Sequence, residues 1–408
     1  MQAATAEAGQ DRARVRRRHV FYIPGYDPIP PRRYRELYRR EAAAQAAVSG
    51  HEIALAPLHG GARFGWEVAA RIEGEAVEAR VEVLVWSDIV KASMAQGILA
   101  TYGQLLRTAA AYILTGALFR LMRLRKGPVI AALYPVGFLL AQLGVALLVA
   151  WGLGRALALW QPWAAWGGLL AVPPVLEGFR RMDGRFFAWY LMHDYAFSAR
   201  WLGANPPELE ARLAVFADAV AKALSGGSDE VLVVGHSSGA HLAVSVLADL
   251  IRAGRVPESG PQLSLLSLGQ VVPMVSFLPR AWRLRADLAY LSMRDELFWL
   301  DVTAPGDGCA FALCDPVAVS GVAPEGKRWP LVISAAFTQT LSEERWRALR
   351  WRFFRLHFQY LCAFDRPGDY DYFAITAGPR TLAARFAGRA PSPARIERAT
   401  SGYRSTAP

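Results

Sequence analysis

Between Lys126 and Arg155 the chain carries no charged side chain. The run 127–154 is made mostly of Ala, Val, Leu, Gly and aromatic residues. A ~30 Å hydrocarbon core is crossed by about 20 such residues at ~1.5 Å per residue, so a stretch of this length predicts a membrane-spanning helix. A second uncharged run, 156–176, follows Arg155 and holds Trp160, Trp163 and Trp166 together with Pro162, Pro173 and Pro174. Its prolines make it less regular, and clustered tryptophans suit a headgroup interface. Arg120, Arg123, Arg125 and Lys126 precede the pair, and Arg180, Arg181 and Arg185 follow it. The positive-inside rule then predicts a helical hairpin over about 128–176 with both ends in the cytoplasm. Upstream, 92–119 contains Arg107 as its one charge. It reads as an amphipathic helix lying on the bilayer or packed on the protein, less readily as a third span.

The rest of the composition agrees with a large folded body associated with a membrane. Of 408 residues, 53% are hydrophobic and 20% charged, which excludes disordered, collagenous and coiled-coil proteins. The formal net charge is +11. Arg12, Arg14, Arg16, Arg17 and Arg18 crowd the N-terminus, and Arg380, Arg385, Arg389, Arg395, Arg398 and Arg404 are spread along a C-terminal stretch rich in Ala, Pro and Ser. With no nucleic-acid motif beside them, these basic ends predict anionic lipid headgroups as partners and no nucleic acid. Cys309, Cys314 and Cys362 form neither a disulfide framework nor a metal motif, so a reducing face is expected, with no metal and no cofactor. Residues 1–19 lack the apolar stretch of a signal peptide.

Around the apolar block the pattern is α/β. A strand is predicted at 20–23, a helix at 31–47, and strands at 51–56, 65–73 and 78–86 with turns at Gly60-Gly61 and Glu73-Gly74. After the block come a helix at 207–224, the apolar strand Val231–Val234, a helix at 239–254, strands at 263–268 and 288–292 and a helix at 342–356. This order predicts a mostly parallel sheet. The expected organisation is a basic tail 1–19, a first sheet portion 20–90, a membrane-associated helical insertion 91–180, a second portion 181–378 carrying the chemistry, and a basic flexible tail 379–408.

Between the strand Val231–Val234 and the helix that follows lies Gly235-His236-Ser237-Ser238-Gly239. G-x-S-x-G at a strand–turn–helix junction lifts a serine hydroxyl clear of the sheet, while the two glycines remove side chains that would clash and the helix N-terminus favours a developing oxyanion. On these residues the chain resembles the α/β-hydrolase superfamily, with a lipase-like nucleophile elbow, over roughly 20–90 and 185–375. The resemblance implies an acid and then a histidine downstream. His357 is the one histidine after Ser237 apart from His241, which sits on the elbow helix. It is the expected general base. For the acid, Asp307 in the loop Ala304-Pro305-Gly306-Asp307-Gly308 is the first choice, Asp301 the second and Asp315 the third. The oxyanion hole is expected from the amides of Ser238 and, in the loop Pro24-Gly25-Tyr26-Asp27-Pro28, of Tyr26; this departs from the His-Gly pair common in the superfamily. His193-Asp194 reads as a cap or interfacial pair, and His236 and His241 lack support as metal ligands.

The combined reading is an α/β-hydrolase-like protein with an inserted transmembrane hairpin, anchored in the cytoplasmic (inner) membrane with its catalytic domain facing the cytoplasm. It implies a serine hydrolase of esterase or lipase type that cleaves a lipid or acyl ester through Ser237, His357 and Asp307. The rival from another class is a membrane scaffold that keeps a hydrolase fold without turnover.

Overall fold

Strand β1 (Arg17–Ile23) alternates strictly: Val20 and Tyr22 enter one buried cluster, Phe21 and Ile23 another. Side chains of a strand point to opposite faces, so both faces of this strand are covered. The same division repeats along the middle of the sheet. Leu232 and Val234 part from Val231 and Val233, Leu266 and Leu268 from Leu263 and Leu265, and Phe298 and Leu300 from Leu297 and Trp299.

The computed structural model describes residues 13–58, 60 and 63–408. In chain order, β1 is followed by α1 (Arg32–Ser49), β2 (Glu52–Pro57), β3 (Gly65–Ile72), β4 (Glu75–Val83) and α2 (Ser87–Met94). Then come α3 (Ile98–Leu114), α4 (Ala117–Leu124), α5 (Lys126–Ala158), a 3₁₀ helix (Pro162–Ala171), α6 (Val172–Arg181) and α7 (Ala188–Arg200). The chain returns through α8 (Pro207–Leu224), β5 (Glu230–His236), α9 (Gly239–Arg252), β6 (Gln262–Leu268), α10 (Trp282–Leu291), β7 (Leu297–Thr303) and β8 (Leu331–Ser334). The eight strands form one sheet in the order β2-β3-β4-β1-β5-β6-β7-β8. From β4 to β8 all pairs are parallel; β2 and β3 join antiparallel at one edge. The fold is therefore α/β with a mostly parallel, mixed sheet. Tyr34, Tyr38 and Ala42 of α1 cover one face; α8, α9 and α10 cover the other.

Several expectations are corrected. Residues 288–292 are the last turn of α10 and its cap rather than a strand, because Leu284, Leu288 and Leu291 recur at helical spacing and are buried together. The strand is β7, which begins five residues after Ser292, and β8 carried too short an apolar run to be read. The helix expected at 342–356 is two, Glu343–Leu349 and Phe353–His357.

The terminal arginines are also less free than a tail would make them. Residues 1–12 of the N-terminal tail, and Gly61 of the expected turn, lie outside the described residues. Val15 is buried and its amide donates to Pro379 O at 2.8 Å. Arg18 is 1% exposed and bonds through Nε to Glu230 Oε2 at 2.7 Å and through Nη1 to Gly378 O at 2.6 Å. Glu230 also accepts from Ser264 Oγ and the Leu382 amide, so the buried pair is fully satisfied. The segment expected as a flexible C-terminal tail is packed down. Ile396 N donates to Leu313 O at 2.7 Å, Ser392 N to Val332 O at 2.9 Å, and Arg285 Nε to Ser405 O at 2.7 Å.

Helix α5 is long and apolar enough to span a membrane, by length and composition. At ~1.5 Å per residue its 33 residues reach about 50 Å. Only 22% of its most apolar stretch is buried against the protein. Leu140, Leu147, Leu148, Trp151 and Leu153 are exposed along it, and Trp160, Trp163 and Trp166 are exposed just beyond its end. The second apolar run is divided between the 3₁₀ helix and α6. The 3₁₀ helix lies directly on α5: a Cβ on Gly168 would stand 2.2 Å from Ala150 O, and one on Gly154 2.6 Å from Ala165 O, so only glycine permits this approach. Upstream, α3 and α4 meet at a 72° bend, where Gly116 adopts φ +72°. Leu105 of α3, Leu139 of α5 and Trp189 and Met192 of α7 form a separate small core.

Candidate active site

Ser237 sits between the end of β5 and the start of α9, with φ +57°. A side-chain-bearing residue in the left-handed region costs about 1–2 kcal/mol and is retained where the surroundings overdetermine it. Here they do. The Ser237 amide donates to Leu268 O at 2.9 Å, and its carbonyl accepts from Ala240 N at 3.1 Å. The two flanking glycines admit no side chain: a Cβ on Gly235 would lie 2.6 Å from Gly239 O, and one on Gly239 2.1 Å from Ile23 O. The turn is therefore clamped between β5, β6 and the end of β1.

His357 ends the short helix Phe353–His357 and is buried. Its Nδ1 lies 2.7 Å from Oδ2 of Asp307, in the loop after β7. Tyr360 Oη donates to the same oxygen at 3.0 Å, and the Cys309 amide donates to Oδ1 at 2.9 Å. Burial alone would push the Asp307 carboxyl up. The charge of His357 and these hydrogen bonds outweigh it, and the group is held below its ordinary range. An ionised Asp307 makes Nδ1 the donor, which leaves Nε2 as an acceptor. That Nε2 is buried and has no hydrogen-bond partner.

Ser237, His357, Tyr26 and Ser238 line one cavity of about 80 Å³. No hydrogen bond joins Ser237 to His357 among the described residues; the two share the cavity. The loop carrying Tyr26 is fixed from three sides. Trp86 Nε1 donates to Pro24 O at 2.9 Å, Tyr190 Oη donates to Tyr26 O, and Asp27 accepts from Ile29 N at 2.9 Å and Tyr34 Oη at 2.6 Å. Gly25 brings this loop against the elbow, since a Cβ there would be 3.0 Å from Ser237 Cβ. The amides of Tyr26 and Ser238 bond to no acceptor among the described residues.

The other candidates lie elsewhere. Asp301 is in the interior of the sheet, on β7, where its Oδ1 accepts from Ser267 Oγ and its Oδ2 has no partner. Burial pushes it up to about 8. Asp315 caps the one-turn helix Pro316–Val319 and pairs with Lys327. His193 faces away from the cavity wall toward α3, with Nδ1 2.8 Å from Gln104 Oε1. Its neighbour Asp194 lines the cavity.

Tyr360 was not singled out from the sequence, and His236 and Asp194 were named there without the places they take here. Tyr360 holds Asp307 and also accepts from the Ala304 amide at 2.9 Å, which ties the acid's loop to the histidine's segment. Its position three residues after His357 was the available signal. His236, beside Ser237, donates from Nε2 to His357 O at 3.0 Å and so positions the histidine backbone; burial lowers its pKa to about 3, keeping it neutral. Asp194 had no signal beyond its adjacency to His193.

Asp307, Cys309 and His357 have ligand atoms within 4.8 Å of one another. The 2.7 Å contact between Asp307 and His357 is a hydrogen bond, and burial keeps the Cys309 thiol protonated by pushing its pKa well up. The trio therefore fits a positioned imidazole better than a metal site. No family model, curated protein or solved structure matches this chain.

Proposed function

We propose that the protein is a membrane-anchored serine hydrolase that cleaves a carboxylic ester, of lipid or acyl type, through Ser237, His357 and Asp307. The observation that carries the reading is the hydrogen-bonded Asp307–His357 pair with an unpartnered Nε2, sharing a cavity with a serine held at φ +57°. In this mechanism His357 Nε2 takes the Ser237 proton as Oγ attacks the ester carbonyl. Asp307, kept ionised, balances the imidazolium charge. The amides of Tyr26 and Ser238 receive the oxyanion. His357 then protonates the leaving alcohol, and water repeats the sequence on the acyl-enzyme.

The membrane part of the proposal rests on α5. Pro128, in its first turn, lines the catalytic cavity, and Gly127 packs against Gly308 beside Asp307. The anchor thus begins in the wall of the site, which suits a substrate drawn from a bilayer. The segment 156–176 completes the hairpin as a re-entrant element on α5, and the arginines flanking the block keep the body on the cytoplasmic side.

The absent Ser237–His357 hydrogen bond favours the second reading, a scaffold without turnover. A fluorophosphonate probe separates the two. Labelling of the wild type that is lost in Ser237→Ala and weakened in His357→Ala supports the hydrolase; an unreactive wild type supports the scaffold.

A further inference from the structure

The catalytic cavity contains polar groups that the ester chemistry leaves unused. Asp194 and Ser198 stand one turn apart on α7, so their side chains share a helix face. His241 comes from the first turn of α9, and all three line the cavity. They also line a second, smaller cavity next to it, so they form the wall between the two. Among the described residues, the side chains of Asp194 and His241 have neither a hydrogen-bond nor an ion-pair partner; His241 is buried with its Nδ1 an orphan, and Asp194 is partly buried.

Such groups are costly. A buried polar atom without a partner forfeits about 1–3 kcal/mol, and an unpaired carboxylate more. The Arg18–Glu230 pair shows a buried charge fully satisfied, whereas Asp301 Oδ2 on β7 is another orphan. What sets Asp194 and His241 apart is that they share one wall of the proposed reaction cavity. Burial pushes Asp194 up to about 7, although the charge of the nearby His357 pulls it the other way, and pushes His241 down to about 4. Groups held open in this way match a ligand that brings donors and acceptors of its own. A neutral imidazole and a serine hydroxyl beside the carboxyl offer both kinds, which suits hydroxyls better than a cation.

We infer that Asp194 and His241 form a polar subsite that reads free hydroxyls next to the scissile ester, so that the substrate is a partial ester of a polyol. The inference rests on the hydrolase reading. It makes Asp194 and His241 specificity-determining residues.

The test uses three short acetyl esters that differ beside the ester bond: 1-monoacetin, propyl acetate and acetylcholine. The full-length, detergent-solubilised protein is assayed beside the fluorophosphonate probe. A kcat/KM ratio of monoacetin to propyl acetate of tenfold or more is expected. It should fall at least tenfold in Asp194→Ala and in His241→Ala. Asp194→Asn, of the same size, covers the case in which the alanine variant does not fold. A ratio near one, or one that these variants leave unchanged, overturns the inference while a labelled wild type keeps the hydrolase. Preference for acetylcholine over both neutral esters overturns it in favour of an ammonium site. A wild type that neither labels nor hydrolyses any ester overturns the hydrolase reading, and this inference with it.

Discussion

Replacing Asp194 by Asn should stabilise the protein, and do so only above acidic pH. The carboxyl is raised by burial from its ordinary 3.8 to about 7. At ~1.4 kcal/mol per decade, ionised Asp194 costs the fold about 4 kcal/mol. The sign follows from proton linkage. The folded state binds the proton more tightly than the unfolded chain, so stability attributable to this group is intact below about pH 4 and lost as pH rises toward 7. Asparagine keeps the shape and removes the charge. For 408 residues the unfolding entropy is roughly 0.9 kcal/mol/K at ~2.1 cal/mol/K per residue, so 4 kcal/mol corresponds to a shift of about 5 °C. Thermal unfolding of both proteins in one detergent, at pH 4 and pH 8, measures it. The variant should match the wild type at pH 4 and melt about 5 °C higher at pH 8. Asp301, raised to about 8, has the same sign in both proteins and cancels from the difference. Equal differences at the two pH values, or a variant that melts lower at pH 8, would refute the claim that Asp194 is held unpaired.

Four other perturbations have defined outcomes. Ser237→Gly relieves the strain of φ +57°; it should raise stability by about 1 kcal/mol in urea unfolding while abolishing fluorophosphonate labelling. Asp307→Asn should reduce ester hydrolysis by about three to four orders of magnitude, through loss of the donating Nδ1 tautomer, and Tyr360→Phe, which removes one of its hydrogen bonds, by about tenfold. Leu148→Arg with Trp151→Arg places two charges on the exposed face of α5, at ~2.5–3.5 kcal/mol each for a mid-bilayer position. The double variant should be released from membranes by carbonate extraction, whereas retention equal to wild type would refute insertion of this helix.

The elbow was legible because its determinants are local. A four-residue apolar strand, two glycines flanking a serine and an apolar helix specify the turn within about 25 residues, and the structure puts Ser237 in the left-handed region at that place. The short run Leu288–Ser292 was not legible, because four or five apolar residues fit a strand or a buried helical turn equally well; packing against α9 settled it as helix. The basic termini misled for a related reason. Arginine is read as solvated unless a buried acid awaits it, and Glu230, more than two hundred residues from Arg18, is invisible as a partner.

By itself, the sequence determined the two features that depend on neighbours along the chain: an uncharged helix of membrane length and a serine at a strand–helix turn. Only the tertiary structure decided which aspartate reaches His357, that Tyr360 and His236 hold the pair, and that Asp194 enters the cavity unpaired. Hydrogen-bond periodicity and backbone sterics act over a few residues, whereas a carboxylate and an imidazole fifty positions apart meet only because the parallel strands carry the loops that follow them to the same end of the sheet.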